Sequence, residues 1–232
     1  MANDVPQKGE PLVFFDVESL PVDRDDPLWL KLRSRVEVLP EESEEDHEAR
    51  LEKIYQFTTM NPALGRVWMV GYAIGKAEPV LLVGDGTLEG ERQVLETFQE
   101  DMSRLDNPWW IGHNIIGFDI PFMQVRALKH GFTGLARQLG RATAKPWNHR
   151  YLDTMKLWPR TSNDRSGWKD GLRGLAKLEV ICQVLGIELQ TGVMGKDVAA
   201  AFAEGDTEGA KEHLRLDIVQ LRELFKRLWP IL

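Results

Sequence analysis

Val13-Phe14-Phe15-Asp16-Val17-Glu18 is the stretch on which the reading of the fold turns. Apolar residues lead into two carboxylates separated by one position, and side chains two apart on an extended strand point to the same face. Read as a buried strand, the stretch sets Asp16 and Glu18 side by side. Carboxylates leaving a strand that is covered on both faces are costly unless something positive meets them, and a pair of them usually meets a divalent cation. Read as a strand that stops at Phe15, it leaves two solvated turn residues instead. The rest of the chain has to decide between these two readings.

Outward from this strand, residues 20–60 do not continue a sheet pattern. Pro21, Pro27, Pro40 and the acidic run Glu41, Glu42, Glu44, Glu45, Asp46 and Glu48 read as an irregular insertion. Within it the spacing predicts an amphipathic helix over Glu44–Phe57 that presents Leu51, Ile54, Tyr55 and Phe57. The insertion is expected to be a flap or lid rather than core. Strand character resumes over Arg66–Ile74 and again over 79–83 after a turn at 75–78, a connection so short that the two must pair antiparallel.

A helix over 91–105 follows, with Val94, Leu95, Phe98, Met102 and Leu105 on one face, then a short buried strand Trp109–Gly112. Pro121 opens another helix, with Phe122, Val125 and Leu128 inward and Gly131 as its stop. Residues 151–155 read as the last strand, and 172–185, 196–203 and Thr207–Leu228 as helices, with Gly186 and Gly205 as stops. This order predicts an α/β fold, a mixed sheet of about five strands, the first three antiparallel, with helices on both faces. A chain of 232 residues is long enough for one sizeable core, so a single domain over 1–232 is expected.

With 43% hydrophobic and 28% charged residues the composition is that of a soluble globular protein. No apolar run approaches a membrane span and the polar start lacks a secretory pattern, which together predict a cytoplasmic protein that binds no membrane. Cys182, the single cysteine, sits among Val180, Ile181, Val184 and Leu185 and reads as a small core residue. The net charge of -7 disfavours a nucleic-acid partner, but its distribution does not. Between residues 124 and 178 stand twelve lysines and arginines, from Arg126 to Lys177, opposed by Asp153, Asp164 and Asp170 alone. Trp147, Trp158 and Trp168 are interleaved with them, a mixture that suits a phosphate backbone with bases stacked on rings. A solvated basic face over core tryptophans has the same composition.

Two further stretches carry chemistry. Gly112-His113-Asn114-Ile115-Ile116-Gly117-Phe118-Asp119-Ile120-Pro121-Phe122 lies where a strand ends and a helix starts, the place where ligand groups gather in open sheets. Asp119 fits an N-cap before Pro121. Asn114 can donate to a phosphate oxygen, and Phe118 can pack against a base or sugar. On the last helix, His213 and Asp217 are four apart and share a face beside the inward stripe Leu214, Ile218 and Leu221. Taken alone, that pair reads as an ordinary exposed helix pair.

Asp16-x-Glu18, Asn114-x-x-x-Phe118-Asp119 and His213-x-x-x-Asp217 stand in the order of the three exonuclease motifs of the DEDD superfamily. The chain resembles the proofreading exonuclease domain of family B DNA polymerases and its stand-alone relatives from about residue 13 onward, apart from the insertion. The resemblance implies a ribonuclease H-like fold and a 3′-5′ exonuclease acting on the 3′ end of single-stranded DNA. It also implies two divalent ions, Mg²⁺ or Mn²⁺, held by Asp16, Glu18, Asp119 and Asp217. Asp16 would bridge both ions, Glu18 and Asp217 would hold the one that activates water, and Asp119 would support the other. Two such cations lower the pKa of the attacking water and neutralise charge on the leaving oxygen.

His213 departs from the pattern. Polymerase-type relatives carry a tyrosine with three residues between it and the last aspartate, and the other branch a histidine with four; here a histidine stands at the tyrosine spacing. His213 is read as the group that orients or deprotonates the attacking water. His149 is the weaker substitute, Asp153 a cap or hydrogen-bond acceptor, and Lys177 either a phosphate contact or a solvated lysine. An RNA-directed exonuclease, a non-hydrolysing nucleic-acid-binding module and an endonuclease of the same fold remain as alternatives.

Overall fold

The computed structural model describes residues 5–144, 149–158, 177–187 and 198–231. Its organising element is β1, Leu12–Leu20. On one side β1 pairs antiparallel with β2, Arg66–Ile74, placing Phe15 opposite Tyr72 and Asp16 opposite Gly71. β3, Val80–Val83, continues that half antiparallel to β2. On the other side β4, Trp109–Gly112, pairs parallel with β1, and β5, Tyr151–Asp153, parallel with β4. The order is β3-β2-β1-β4-β5, so β1 is central. That position explains a strand apolar on both faces: Val13, Phe15 and Val17 enter one core and Phe14 the other. The mixed sheet with helices on both faces is of the ribonuclease H-like class.

The first core is closed by α3, Leu88–Ser103, α4, Asp119–Lys129, and α5, Thr133–Thr143. Phe15, Phe98 and Trp110 meet there, with the Phe15 and Trp110 rings edge to face at 5.3 Å. Full burial of each such ring is worth about 1.5–3 kcal/mol. The opposite face is covered by α9, Thr207–Leu228, whose Leu214, Ile218, Leu221 and Phe225 lie on the sheet. Flanking α9 are α7, Leu178–Val184, and α8, Val198–Glu204. Cys182 is buried between α7 and α9 beside Leu224 and Leu228, and burial pushes its thiol up to about 11, as suits an inert core residue. Among the described residues no helix is long and apolar enough to cross a membrane.

The elements depart from the sequence pattern in several places. The last strand stops at Asp153, because that carboxylate accepts the Met155 N–H at 3.1 Å and caps a short helix, α6, Thr154–Leu157. α4 begins two residues before Pro121 with Phe118 at its N-cap, so Asp119 is its first helical residue and not its cap. α5 has no counterpart in the sequence reading, although Leu135, Leu139 and Ala142 recur on one buried face; Gly134 and Gly140 interrupt the helical signal. Residues 172–176 and 196–197 of the expected helices lie outside the described residues.

The insertion holds α1, Pro27–Arg33, and α2, Glu44–Phe57. Ser43 caps α2, and Glu44, Glu45 and Asp46 occupy its first turn, where the helix dipole favours negative charge. The insertion, expected as a flap or lid rather than core, packs around a small cluster of its own, apart from the cores beside the sheet. Val22, Trp29, Tyr55 and Leu64 form this buried cluster, since two aromatic rings supply enough apolar area to close it. Tyr55 Oη donates to the Val22 carbonyl at 2.9 Å, and Ser19 Oγ donates to the Thr59 carbonyl at 2.9 Å. These bonds tie the insertion to the end of β1.

Candidate active site

Because Phe14 faces α9, so do Asp16 and Glu18, at the same parity on β1. From α9, His213 and Asp217 face them in turn: His213 Nε2 lies 3.2 Å from Asp217 Oδ2 and 3.9 Å from Glu18 Oε1. Glu18, His213 and Asp217 form a group able to hold a metal ion, their ligand atoms all lying within 4.8 Å of one another. Asp119 reaches the same place from the N-terminus of α4, its buried carboxyl close enough to that of Asp16 for each to act on the other's proton affinity. Three elements far apart in sequence thus converge on one end of β1.

α9 comes this close to the sheet because residue 71 has no side chain. A Cβ there would stand 2.7 Å from Leu214 Cγ and 3.2 Å from Ile218 Cγ1. Gly71 is the antiparallel partner of Asp16, so the contact that seats α9 is level with the carboxylates. Gly71→Val is therefore expected to lift the helix, lowering stability by about 1–3 kcal/mol through overpacking and cutting divalent-cation affinity in the same variant. Thermal melts with and without Mn²⁺ measure both, and an unchanged cation-induced rise in Tm would refute this seating role.

The electrostatics follow from crowding acids in a partly buried place. Burial, then the Asp217 charge, push Asp16 up to about 7; burial, then Glu179, push Asp217 up to about 7. Glu18 is held well above the ordinary range by burial and by Asp16, Asp217 and Asp119, and Asp119 by burial and Asp16. Burial lowers the His213 imidazole, while Asp16 and Glu179 pull it back up. Glu179 on α7 was not anticipated; a lone acid beside Lys177, with which it pairs at 3.6 Å, gives no signal in sequence.

Does this set fit a metal ion? Asp119 Oδ1 is buried without a hydrogen-bond partner, an acceptor that a cation would satisfy. The donors are carboxylate oxygens with one imidazole, a set suited to a divalent cation. The residues fit. One consequence is a pH dependence of stability with an unusual sign. Asp16 and Asp217 have folded values near 7 against 3.8 for the free side chain, so between these values the folded state binds more protons than the unfolded one. Cation-free protein is then most stable below about pH 4 as far as these groups act, and it loses that contribution as pH rises to about 7. Melts in EDTA between pH 5 and 8 should show Tm falling by roughly 5 °C or more, and Mg²⁺ or Mn²⁺ should restore it at pH 8. A flat profile would mean that the acids do not repel one another.

The loop from β4 to α4 is held from β5. Asp153 Oδ1 accepts the Asn114 N–H at 2.9 Å, fixing Asn114 in the left-handed region at φ +66°. The Asn114 carbonyl accepts the Gly117 and Phe118 N–H groups, and a Cβ on Gly117 would stand 2.3 Å from Asn114 Oδ1. Thr154 Oγ1 donates to the Gly112 carbonyl, so the His113 Nδ1 at 2.9 Å is the donor to that hydroxyl. Phe118 is partly exposed, its ring 5.0 Å from that of Phe122. Asp153 is thus a cap and a loop clamp.

His149 lies away from the carboxylates, and the basic stretch is described only in part. His149 packs between Trp109 and Tyr151 at the entry of β4 and β5, the end of the sheet away from Asp16, and cannot substitute for His213. The basic stretch is not one face: Arg126 is fully buried in an ion pair with Glu91, and Arg150 is paired with Glu10 at 2.6 Å. Trp158 packs against the α7 core. Lys145, Arg160, Arg165, Lys169, Arg173, Trp147 and Trp168 lie outside the described residues.

With this geometry in place, a protein-family model described as a predicted 3′-5′ exonuclease related to the exonuclease domain of PolB matches residues 73–229. The match includes Asn114, Phe118, Asp119, His213 and Asp217; Asp16 and Glu18 lie ahead of it. No curated protein matches the chain.

Proposed function

The chain belongs to the family of predicted 3′-5′ exonucleases related to the exonuclease domain of PolB, and from that premise we propose that it hydrolyses single-stranded DNA from the 3′ end with two divalent metal ions. The observation that carries this reading is the convergence of Asp16, Glu18, Asp119 and Asp217 with His213 at one end of β1. Mg²⁺ or Mn²⁺ held by the four carboxylates supplies activation of water and neutralisation of phosphate charge. The protein's own part is positioning. Asn114, clamped by Asp153, offers its carboxamide to a phosphate oxygen, and Phe118 its ring to the terminal base or sugar.

His213 takes the proton of the attacking water or orients it. Burial lowers its pKa, so the ring is neutral and basic near pH 7, and Asp217 Oδ2 stands within reach to steady it. His213→Ala should lower turnover by roughly 10²-fold or more while cation-induced stabilisation persists. His213→Tyr should retain appreciable activity, because the spacing is that of the tyrosine branch. Wild-type turnover in His213→Ala would reduce the residue to a helix-surface group.

The reading itself is tested with oligonucleotides labelled at the 5′ end, in single-stranded DNA, duplex DNA and RNA forms, with Mg²⁺, Mn²⁺ or EDTA. A ladder shortening from the 3′ end of single-stranded DNA, absent in EDTA, is expected. Faster shortening of RNA would reassign the substrate, cuts in a closed single-stranded circle would indicate an endonuclease, and binding without cleavage an inert module.

A further inference from the structure

Of the basic stretch, Arg137 and Arg141 remain exposed and make no ion pair among the described residues. They stand four apart on α5, hence on one face, and with Arg150 they line a cavity of about 660 Å³ between α3, α5 and the start of β4. Pro108 and Trp110 form part of its wall, at the entry of β4, whereas the carboxylates are level with the residues beyond its exit. The cavity also opens on the α3 and α5 side of the sheet, not the α9 side. It is therefore a separate place, outside the candidate active site.

The size is that of a small-ligand pocket. Its lining is polar and hydrogen-bonding: three guanidinium groups, the side chains of Gln99 and Gln138, and the acids Glu100 and Asp106 at its walls. Arg150 is already paired with Glu10 and lies over the Trp109 ring, whereas the two α5 arginines make no ion pair with Glu100 or Asp106 among the described residues and are the guanidinium groups open to a ligand. Guanidinium forks of that kind match phosphate oxygens bidentately. We propose that this cavity is a second binding site, for the phosphate of a nucleotide, used either by a free mononucleotide or by a nucleotide in the body of a strand.

The proposal goes beyond the exonuclease reading, since it requires neither turnover nor a cation. Its test is binding in EDTA: calorimetric titration of the full chain with 5′-dAMP and with deoxyadenosine, and anisotropy of a labelled single-stranded 20-mer across a salt series. Saturable binding of 5′-dAMP but not deoxyadenosine, weakened about tenfold or more in Arg137→Ala/Arg141→Ala, supports a free-nucleotide source. Binding of the 20-mer alone, with a salt slope reduced in the double variant, supports a strand source. Deoxyadenosine binding as tightly as 5′-dAMP, or equal affinities of wild type and double variant for both probes, overturns the site. Both arginines are exposed, and circular dichroism of the double variant checks that it folds. Failure of hydrolysis in the oligonucleotide assay would leave these titrations readable.

Discussion

Asp16→Asn is expected to lose turnover by roughly 10³-fold or more and, in the absence of divalent cations at pH 8, to melt higher than the wild type. The first effect follows from the place of Asp16, which acts on Asp119 and feels Asp217 and so bears on every part of the cluster. The second follows from repulsion: removing one of four crowded carboxylates relieves the others. Opposite signs in one variant separate a cation site from a structural aspartate, whose loss would lower Tm. An Asp16→Asn protein that keeps more than about a tenth of wild-type turnover would defeat the assignment. So would one that melts lower in EDTA.

Arg126→Met should be the most damaging change for the fold. Arg126 and Glu91 are both fully buried, joined through Arg126 Nε and Nη2, and His130 Nε2 adds a third contact to Glu91 at 2.8 Å. Burial raises the Glu91 pKa, but the Arg126 hydrogen bond and charge outweigh it and hold the carboxyl below its ordinary value. Removing the guanidinium leaves a buried charge without its partner, at a cost of about 3–5 kcal/mol. In a chain of this size that is roughly 10 °C of Tm. Glu91→Gln added to Arg126→Met should recover part of the loss, because glutamine no longer carries charge yet can still accept the Val67 N–H. A single variant melting within about 2 °C of wild type would show that the pair is screened like a surface one.

Arg126 also marks where sequence reading stops. In the chain it is one of twelve basic residues in a polar stretch; its burial depends on Glu91, a partner from another helix that no local pattern announces. Much else was legible. The spans Arg66–Ile74, Trp109–Gly112, Glu44–Phe57 and Thr207–Leu228 follow from periodicity and stop residues alone. That Asp16 pairs with Glu18 and His213 with Asp217 in the candidate site was legible too, because the parity of the first pair and the helical spacing of the second are local properties. What sequence could not supply is how the pieces meet. Gly71 reads as a weak point in a strand, and only the Leu214 side chain pressed against it shows why no other residue fits. Glu179 acts on Asp217 and His213 through space alone.

The central place of β1 has a consequence for how the chain acquires its site. β1 comes early in the chain, yet both its neighbours are made later: β2 after the insertion, β4 after a further strand and helix. The acids it carries meet Asp217 only when α9 docks, near the other end of the chain. Such contacts between distant segments are slow to form and cannot nucleate folding locally. On a ribosome the emerging chain therefore carries an apolar strand with at least one open edge until β4 is made, about half-way along the chain, a state prone to wrong pairing. The same delay keeps the carboxylates apart until the end. A chain stalled before α9 carries Asp16, Glu18 and Asp119 but neither His213 nor Asp217, so the proposed hydrolysis has to wait for that helix.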